Sequence, residues 1–484
     1  MSDPRQARPR LGRLLGIGAV VLIFAFYAAF VGEMMVVGWD MLGRYNQYLL
    51  DYARQFAGGA LPYRDFAFEY PPLALIMIVL PYLLGGTDLA QWSALLAAEN
   101  LVVVIATAGC LAYLVRRGWS ARGTADTVLI YILLIAATPI VFIRWDSLPA
   151  LLTVIALCAM ASGRSAASGI ALALGGLDKL YPLLLVPVVA LPSFLSRKWR
   201  QLGAIVAGSV VTVAIGLGAL IALVGPTLGL SFLTYHADRG YEIESVPATF
   251  GLLAHAFGGA EATTFNAFGS WQLQSPLVDS LGWLWLAIAA LMAAAVAVSA
   301  IVQYRRELRI GGSVSPLTQI GLLMATILVF MLGYRVLSPQ YVIWLLPFAA
   351  LLPRGKVVVT AMACLLTLYV YPFGAQGLID LDTFPILSWR CATQCSSAYS
   401  PGWSPRASAW LRAPCSCAEA PLARDVDVQY GREAHADPAE HGVARDAPRI
   451  YQRADRVAAA NVDAGVLVVA PDQHVARLCV GERA

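Results

Sequence analysis

Charge is what this chain has least of. Asp, Glu, Lys and Arg make up only 13% of it, against about 25% in soluble domains. A mean hydropathy of +0.67 sustained over 484 residues excludes an ordinary soluble enzyme. Lysine is rarer still: Lys179, Lys198 and Lys356 stand beside 31 arginines, a bias typical of GC-rich coding sequence that carries no mechanism. Histidine occurs five times, never at a spacing that would complete a zinc site with the pairs Cys391/Cys395 or Cys415/Cys417, so no metal centre is expected. Cys110, Cys158 and Cys364 fall singly in apolar runs and read as packing residues.

What is abundant is apolar sequence, 59% of the chain, arranged in runs long enough to cross a bilayer. The first run follows a basic stretch, Met1 to Arg13. It is too long for a cleaved signal peptide and has no small-residue cleavage site, so it is expected to stay as the first span. Spans are expected at Leu14–Val37, Leu89–Val115, Thr124–Ile143, Ser147–Ser162, Ala166–Leu177 and Leu180–Leu195. Further spans fall at Leu202–Val224, Leu277–Val302, Val314–Gly333, Leu337–Leu352 and Val357–Gln376. The run Leu73–Leu84 is short and follows Pro71-Pro72; treating it as an interfacial helix leaves the charge pattern consistent.

With that choice, 16 of the 23 basic residues before Pro385 fall on one side, among them Arg116, Arg117, Arg122, Arg305, Arg306 and Arg309. The positive-inside rule then places the N-terminus in the cytoplasm and two long loops, 38–88 and 225–276, outside. The fold class expected is all-α, a polytopic cell-membrane protein of about 11 to 12 transmembrane helices over residues 1–390, with interfacial helices in the first outer loop. From about Cys391 to Ala484 the hydrophobic periodicity stops, and after Pro385 come 11 arginines, 11 acids and no lysine. Two readings of this tail stand, a shifted reading frame and a disordered polar extension.

The residues that carry chemistry concentrate in the outer loops. Asp40 directly follows the first span, and Tyr45, Tyr48 and Tyr52 recur behind it at helical spacing. A carboxylate held at that depth can take a proton from a hydroxyl; it can equally cap the helix or pair with Arg44. Arg144-Trp145-Asp146 sits at the end of a span, and Asp178-Lys179 interrupts an apolar stretch just before Tyr181-Pro182. Ionisable groups at membrane depth are functional by default, although a structural Asp–Lys or Asp–Arg pair would look the same. Glu99-Asn100, in mid-span, reads as an interhelical hydrogen bond. The segment Tyr235 to Phe250 gathers His236, Arg239, Glu242 and Glu244, an inventory suited to polyols and phosphate. Arg335 and Gln340 follow in YRVLSPQYVIWLLP.

Asp40, PYRDFAFEYPPLAL (Pro62 to Leu75), RWDSLPALL, DKLYPLLLVP, YHADRGYEIESVPA and SPQYVIWLLP occur in this order. In that order they resemble the GT-C superfamily of membrane glycosyltransferases, and most closely glycosyltransferase family 87, the polyprenyl-phosphate-mannose-dependent α-mannosyltransferases. The likeness covers about residues 14 to 390. It implies inverting transfer of a sugar, mannose by the family, from a polyprenyl-phosphate donor to a glycolipid or glycan acceptor on the extracytoplasmic face. It implies Asp40 as general base, with Asp51 in reserve.

On that reading Arg144, Lys179, His236, Arg239 and Arg335 would hold the donor phosphate, while Tyr63, Asp65, Glu69, Tyr70, Glu244 and Gln340 would meet acceptor or sugar. No cofactor is required, because the leaving group is already a phosphate; a divalent ion held by Asp40 and a second acid would be compatible with this chemistry but is not indicated. Nucleic acid is not an expected partner. The rival reading is a transporter or lipid-linked-sugar flippase, which the helix broken at Asp178-Lys179 would suit. A scaffold without activity is the third.

Overall fold

The computed structural model describes residues 39–368 and 375–381, excepting the side chains of 39–45, 236–238 and 375–376. The expected span at Leu14–Val37 and the tail from Cys391 lie outside the described residues.

Proline and glycine punctuate an otherwise helical chain. Helix α1 (Trp39–Ala57) buries Leu49, Leu50 and Ala53 and stops at Gly58-Gly59, where Gly59 takes φ 91°, a conformation that glycine adopts without strain. An aromatic loop leads to α2 (Ala74–Leu83), the short run expected to be interfacial. Asp88 caps α3 (Leu89–Arg116), its carboxylate accepting from Gln91 N at 2.9 Å. Then follow α4 (Thr124–Ala136), a 3-10 turn at Pro139–Phe142, α5 (Ser147–Ala161), α6 (Ser165–Asp178), α7 (Tyr181–Leu195) and α8 (Trp199–Val224). Beyond them lie α9 (Ser231–Asp238), β1 (Tyr241–Glu242), α10 (Val246–Gly258), β2 (Thr263–Ala267) and β3 (Ser270–Gln274). The last elements are α11 (Gly282–Gly311), α12 (Pro316–Gly333), a 3-10 segment Pro339–Leu345, α13 (Leu346–Leu351), α14 (Arg354–Leu368) and a short helix Ala375–Ile379.

Four of these helices, α3, α8, α11 and α12, are long and apolar enough to cross a membrane. Helices α4 to α7 have 13 to 15 residues, about 20 Å at 1.5 Å per residue, less than the hydrocarbon core of about 30 Å.

The main core joins α3 to α7, α12 and the 339–351 segment, with Trp344, Phe348 and Tyr181 fully enclosed. Helices α6 and α8 approach closely because both carry glycine at the crossing. A Cβ on Gly169 would collide with the Ile205 carbonyl oxygen, and one on Gly208 would lie 2.5 Å from the Ala166 carbonyl oxygen. Across α3 and α5, buried Asn100 hydrogen-bonds Ser147. The Arg122 Nη1 closes α13 by donating to the carbonyls of Ala350 and Leu352 at 3.1 and 2.5 Å.

One departure from an all-helical reading is the antiparallel sheet β1-β3-β2 in the 225–276 stretch. Its cause is local. Ser270-Trp271-Gln272-Leu273-Gln274 alternates polar and apolar residues with period two, and Thr263-Thr264 opens its partner. The connection between β2 and β3 is the two-residue turn Phe268-Gly269, with φ 55° and 68°, the primed geometry that suits a hairpin's twist.

Candidate functional site

A cavity of about 240 Å³ opens where α1, the 3-10 turn before Arg144, the α6–α7 junction, the β-hairpin and the 334–344 segment meet. That is slightly under the range of about 300–1,000 Å³ for small-molecule sites, a size for a headgroup rather than a whole amphiphile.

Its cationic floor is Lys179. Helix α6 ends at Asp178, Lys179 is extended (φ −142°, ψ 134°), and Pro182 starts α7. The backbone N–H of Leu73 donates to the carbonyl of Leu177 at 2.8 Å, drawing the Pro71-Pro72 turn onto this junction. The Lys179 Nζ lies 3.7 Å from Asp146 Oδ1 and 4.8 Å from the ring centroids of both Tyr70 and Trp145. Asp146 is itself oriented by the Trp344 indole N–H, which donates to it at 2.9 Å. Beside them Asp178 is fully buried, and neither of its carboxylate oxygens has a hydrogen-bond partner among the described residues.

One wall is a chain of hydrogen bonds. Arg144 Nη1 donates to the Tyr48 hydroxyl at 3.0 Å, and that hydroxyl meets the Tyr70 hydroxyl at 3.0 Å. Glu69, only 5% exposed, lies beside the phenols of Tyr70 and Tyr235, and its charge helps to raise both. Burial, reinforced by the nearby Glu69 charge, pushes the Tyr70 phenol well above its ordinary value, so it is a donor at neutral pH. The hairpin tip covers this wall: Phe268 packs edge-on against Tyr235, centroids 5.1 Å apart, and a Cβ on Gly269 would stand 3.6 Å from a Glu69 oxygen.

The opposite wall centres on Arg239, buried against Glu242 at 3.3 Å and bonded to the Ser270 hydroxyl. The Ser338 hydroxyl reaches both Glu242 oxygens at 3.1 and 3.2 Å. Burial pushes the Glu242 carboxyl up, with Arg239 opposing. Glu244 is pushed up to about 8, by burial first and then by the neighbouring Glu242 carboxylate.

Seven of the residues expected at the site line this cavity: Glu69, Tyr70, Arg144, Lys179, Arg239, Glu244 and Gln340. Others stand apart. Asp51 is exposed and pairs with Arg54 at 3.2 Å on the same helix, so the reserve base does not face the cavity. Asp65 is likewise exposed, pairing with Arg64 at 2.8 Å and accepting from Leu61 N; these contacts hold its carboxyl down at about 2 and tie up the group expected to meet substrate. Tyr63 supports the site from behind, in a turn at φ 68° with its hydroxyl donating to the Tyr70 carbonyl at 2.6 Å. Arg335 acts on Arg239 rather than on the cavity: its Nη1 donates to the Arg239 carbonyl at 2.8 Å, and its guanidinium lies over the Tyr241 ring. Asp40 belongs to α1 and His236 to α9, but their side chains lie outside the described residues.

Sequence reasoning raised Asp146 as half of an ion pair, the role it has with Lys179, but left out Tyr48 and the Phe268–Trp271 hairpin tip as site components. The alternation in 270–274 was the signal for the last. Among the described residues, no three Asp, Glu, His or Cys side chains group to hold a metal ion.

Fold and cavity together define a helical membrane protein with an aromatic-walled, charge-lined pocket. Compared with protein-family models and with curated proteins, the sequence matches none.

Proposed function

We propose that this chain is a GT-C-like membrane glycosyltransferase, in which the cavity receives the phosphate and sugar of a polyprenyl-phosphate donor on the extracytoplasmic side. The observation that carries the reading is convergence: three cations and two carboxylates chosen from four remote segments for phosphate and sugar chemistry line one pocket. Arg144, Lys179 and Arg239 would stabilise the charge that gathers on the departing phosphate, an electrostatic contribution that is strongest in a water-poor site. Glu69, with the Tyr70 and Tyr235 phenols, supplies acceptors and donors for sugar hydroxyls.

In the reaction an acceptor hydroxyl attacks the anomeric carbon. The bond from that carbon to the phosphate oxygen breaks, and the phosphate keeps the electron pair. The hydroxyl proton passes to a carboxylate, Asp40 by the family likeness. The configuration inverts.

The test is transfer of labelled sugar from polyprenyl-phosphate mannose to candidate acceptors in proteoliposomes. Asp40→Asn is expected to lower the rate by about 10²–10⁴-fold, the usual worth of a general base, and Arg144→Gln by about 10²-fold. Undiminished transfer by the Asp40 variant removes that residue from the chemistry.

A transporter remains the second reading, favoured by two short helices meeting at buried Asp178. Solute uptake without sugar transfer would establish it.

A further inference from the structure

Helix α10 has two unlike faces. Ala248 and Gly251 turn toward β3 and the helical turn Pro276–Ser280 that follows it, where a Cβ on Gly251 would stand 2.5 Å from Val278 Cγ2 and 2.9 Å from Leu273 Cδ2. The other face carries Phe250, Leu253 and Phe257, three residues at helical spacing that are 55%, 47% and 70% exposed. Between Val246 and Gly258 there is no Asp, Glu, Lys or Arg. A contiguous apolar face of this kind marks a surface that is covered by something other than water.

What covers it follows from where it leads. The Phe250 ring lies 5.9 Å from the ring of Trp285 in the first turn of α11, where Trp283 and Leu286 are also strongly exposed. Helix α11 is one of those long and apolar enough to cross a membrane, and few of the residues in its apolar window are buried inside the protein. The exposed stripe of α10 is therefore an extension of a lipid-facing surface.

We infer that α10 lies along the bilayer interface beside α11, with Phe250, Leu253 and Phe257 seated among acyl chains. Helices of this kind take their affinity from the apolar area they bury in the interface. The usual basic polar face is not needed here, because the protein itself covers the opposite side. Ser245 caps α10 by accepting from Ala248 N at 3.3 Å, and Glu242 and Glu244 of the cavity precede that cap directly. An anchored α10 thus holds the cavity's acidic wall at headgroup depth. The inference concerns lipid contact and stands whether or not the cavity transfers sugar.

The experiment labels the full-length protein, reconstituted in phosphatidylcholine vesicles, from two sides: a lipid-borne photoactivated carbene and aqueous hydroxyl radicals, each read by peptide mass spectrometry. The peptide covering 246–258 is expected to take up carbene within about two-fold of the first turns of α11 and about ten-fold more than the loop 61–66, as an interfacial helix should. Hydroxyl-radical labelling of Phe250 and Phe257 with no carbene uptake would show a water-facing loop and overturn the inference. Protection from both reagents would assign the face to a protein partner, such as a second copy of this chain, and would overturn it equally.

Discussion

Lys179 illustrates how the pocket is held by single residues. Its side chain is only 11% exposed and pairs with a carboxylate that is entirely buried, so removing one partner strands the other's charge in a low-dielectric interior. Asp146→Asn is expected to destabilise the protein by about 3–5 kcal/mol, whereas exchanging both partners for apolar residues of similar size costs much less; thermal unfolding of the two variants in detergent checks the difference. Glu244 gives a pH signature. Its folded value of about 8 lies above the ordinary carboxylate value of about 4.3, so the folded state binds the extra proton. The stability it contributes is full below about pH 4 and is lost as pH rises toward 8. Glu244→Gln should flatten the decline in melting temperature between roughly pH 5 and 8, and an unchanged profile would show that another group titrates. Much of this scale was legible in the sequence, because a charged side chain amid apolar residues is conspicuous at Arg144, Lys179 and Arg239. Which acid each cation meets was not: Asp146 stands 33 positions from Lys179, and their pairing follows from how α5 and α6 pack.

Elements were legible where periodicity is long and obscured where two periodicities meet. The expected spans and the helices coincide closely for α3 and α5 to α7, because proline and glycine mark their ends. Residues 263–274 escaped notice because five-residue strands lie inside a loop of mixed composition, although the alternation through Trp271 and Leu273 is plain once sought. The hairpin's turn makes a specific prediction. Gly269, at φ 68° and against Glu69, should not tolerate valine: backbone strain of about 1–3 kcal/mol would lift the tip from the cavity, raising protease sensitivity at 263–274. At the α6–α8 crossing, Gly169→Ala drives a methyl into the Ile205 carbonyl. Overpacking of that kind costs about 1–3 kcal/mol, and should appear as a lower melting temperature, while Gly203→Ala, with open space around it, should not.

For the whole molecule, hydropathy alone established a membrane protein, and four helices of spanning length agree with it. The convergence of the pocket was not readable in the same way. Seven residues from distant segments meet only because α6 breaks at Asp178 and the first loop is tied to that break by the Leu73–Leu177 hydrogen bond.

The measurement that tests the central claim most directly compares two acids of that first loop, one inside the pocket and one outside it. Labelled sugar transfer from a polyprenyl-phosphate donor would be followed in proteoliposomes for wild type, Glu69→Gln and Asp65→Asn. The expected result is a loss of about 10²-fold or more for Glu69→Gln and wild-type rates for Asp65→Asn, at matched melting temperatures. Equal activity of both variants, or loss confined to Asp65→Asn, would contradict the account.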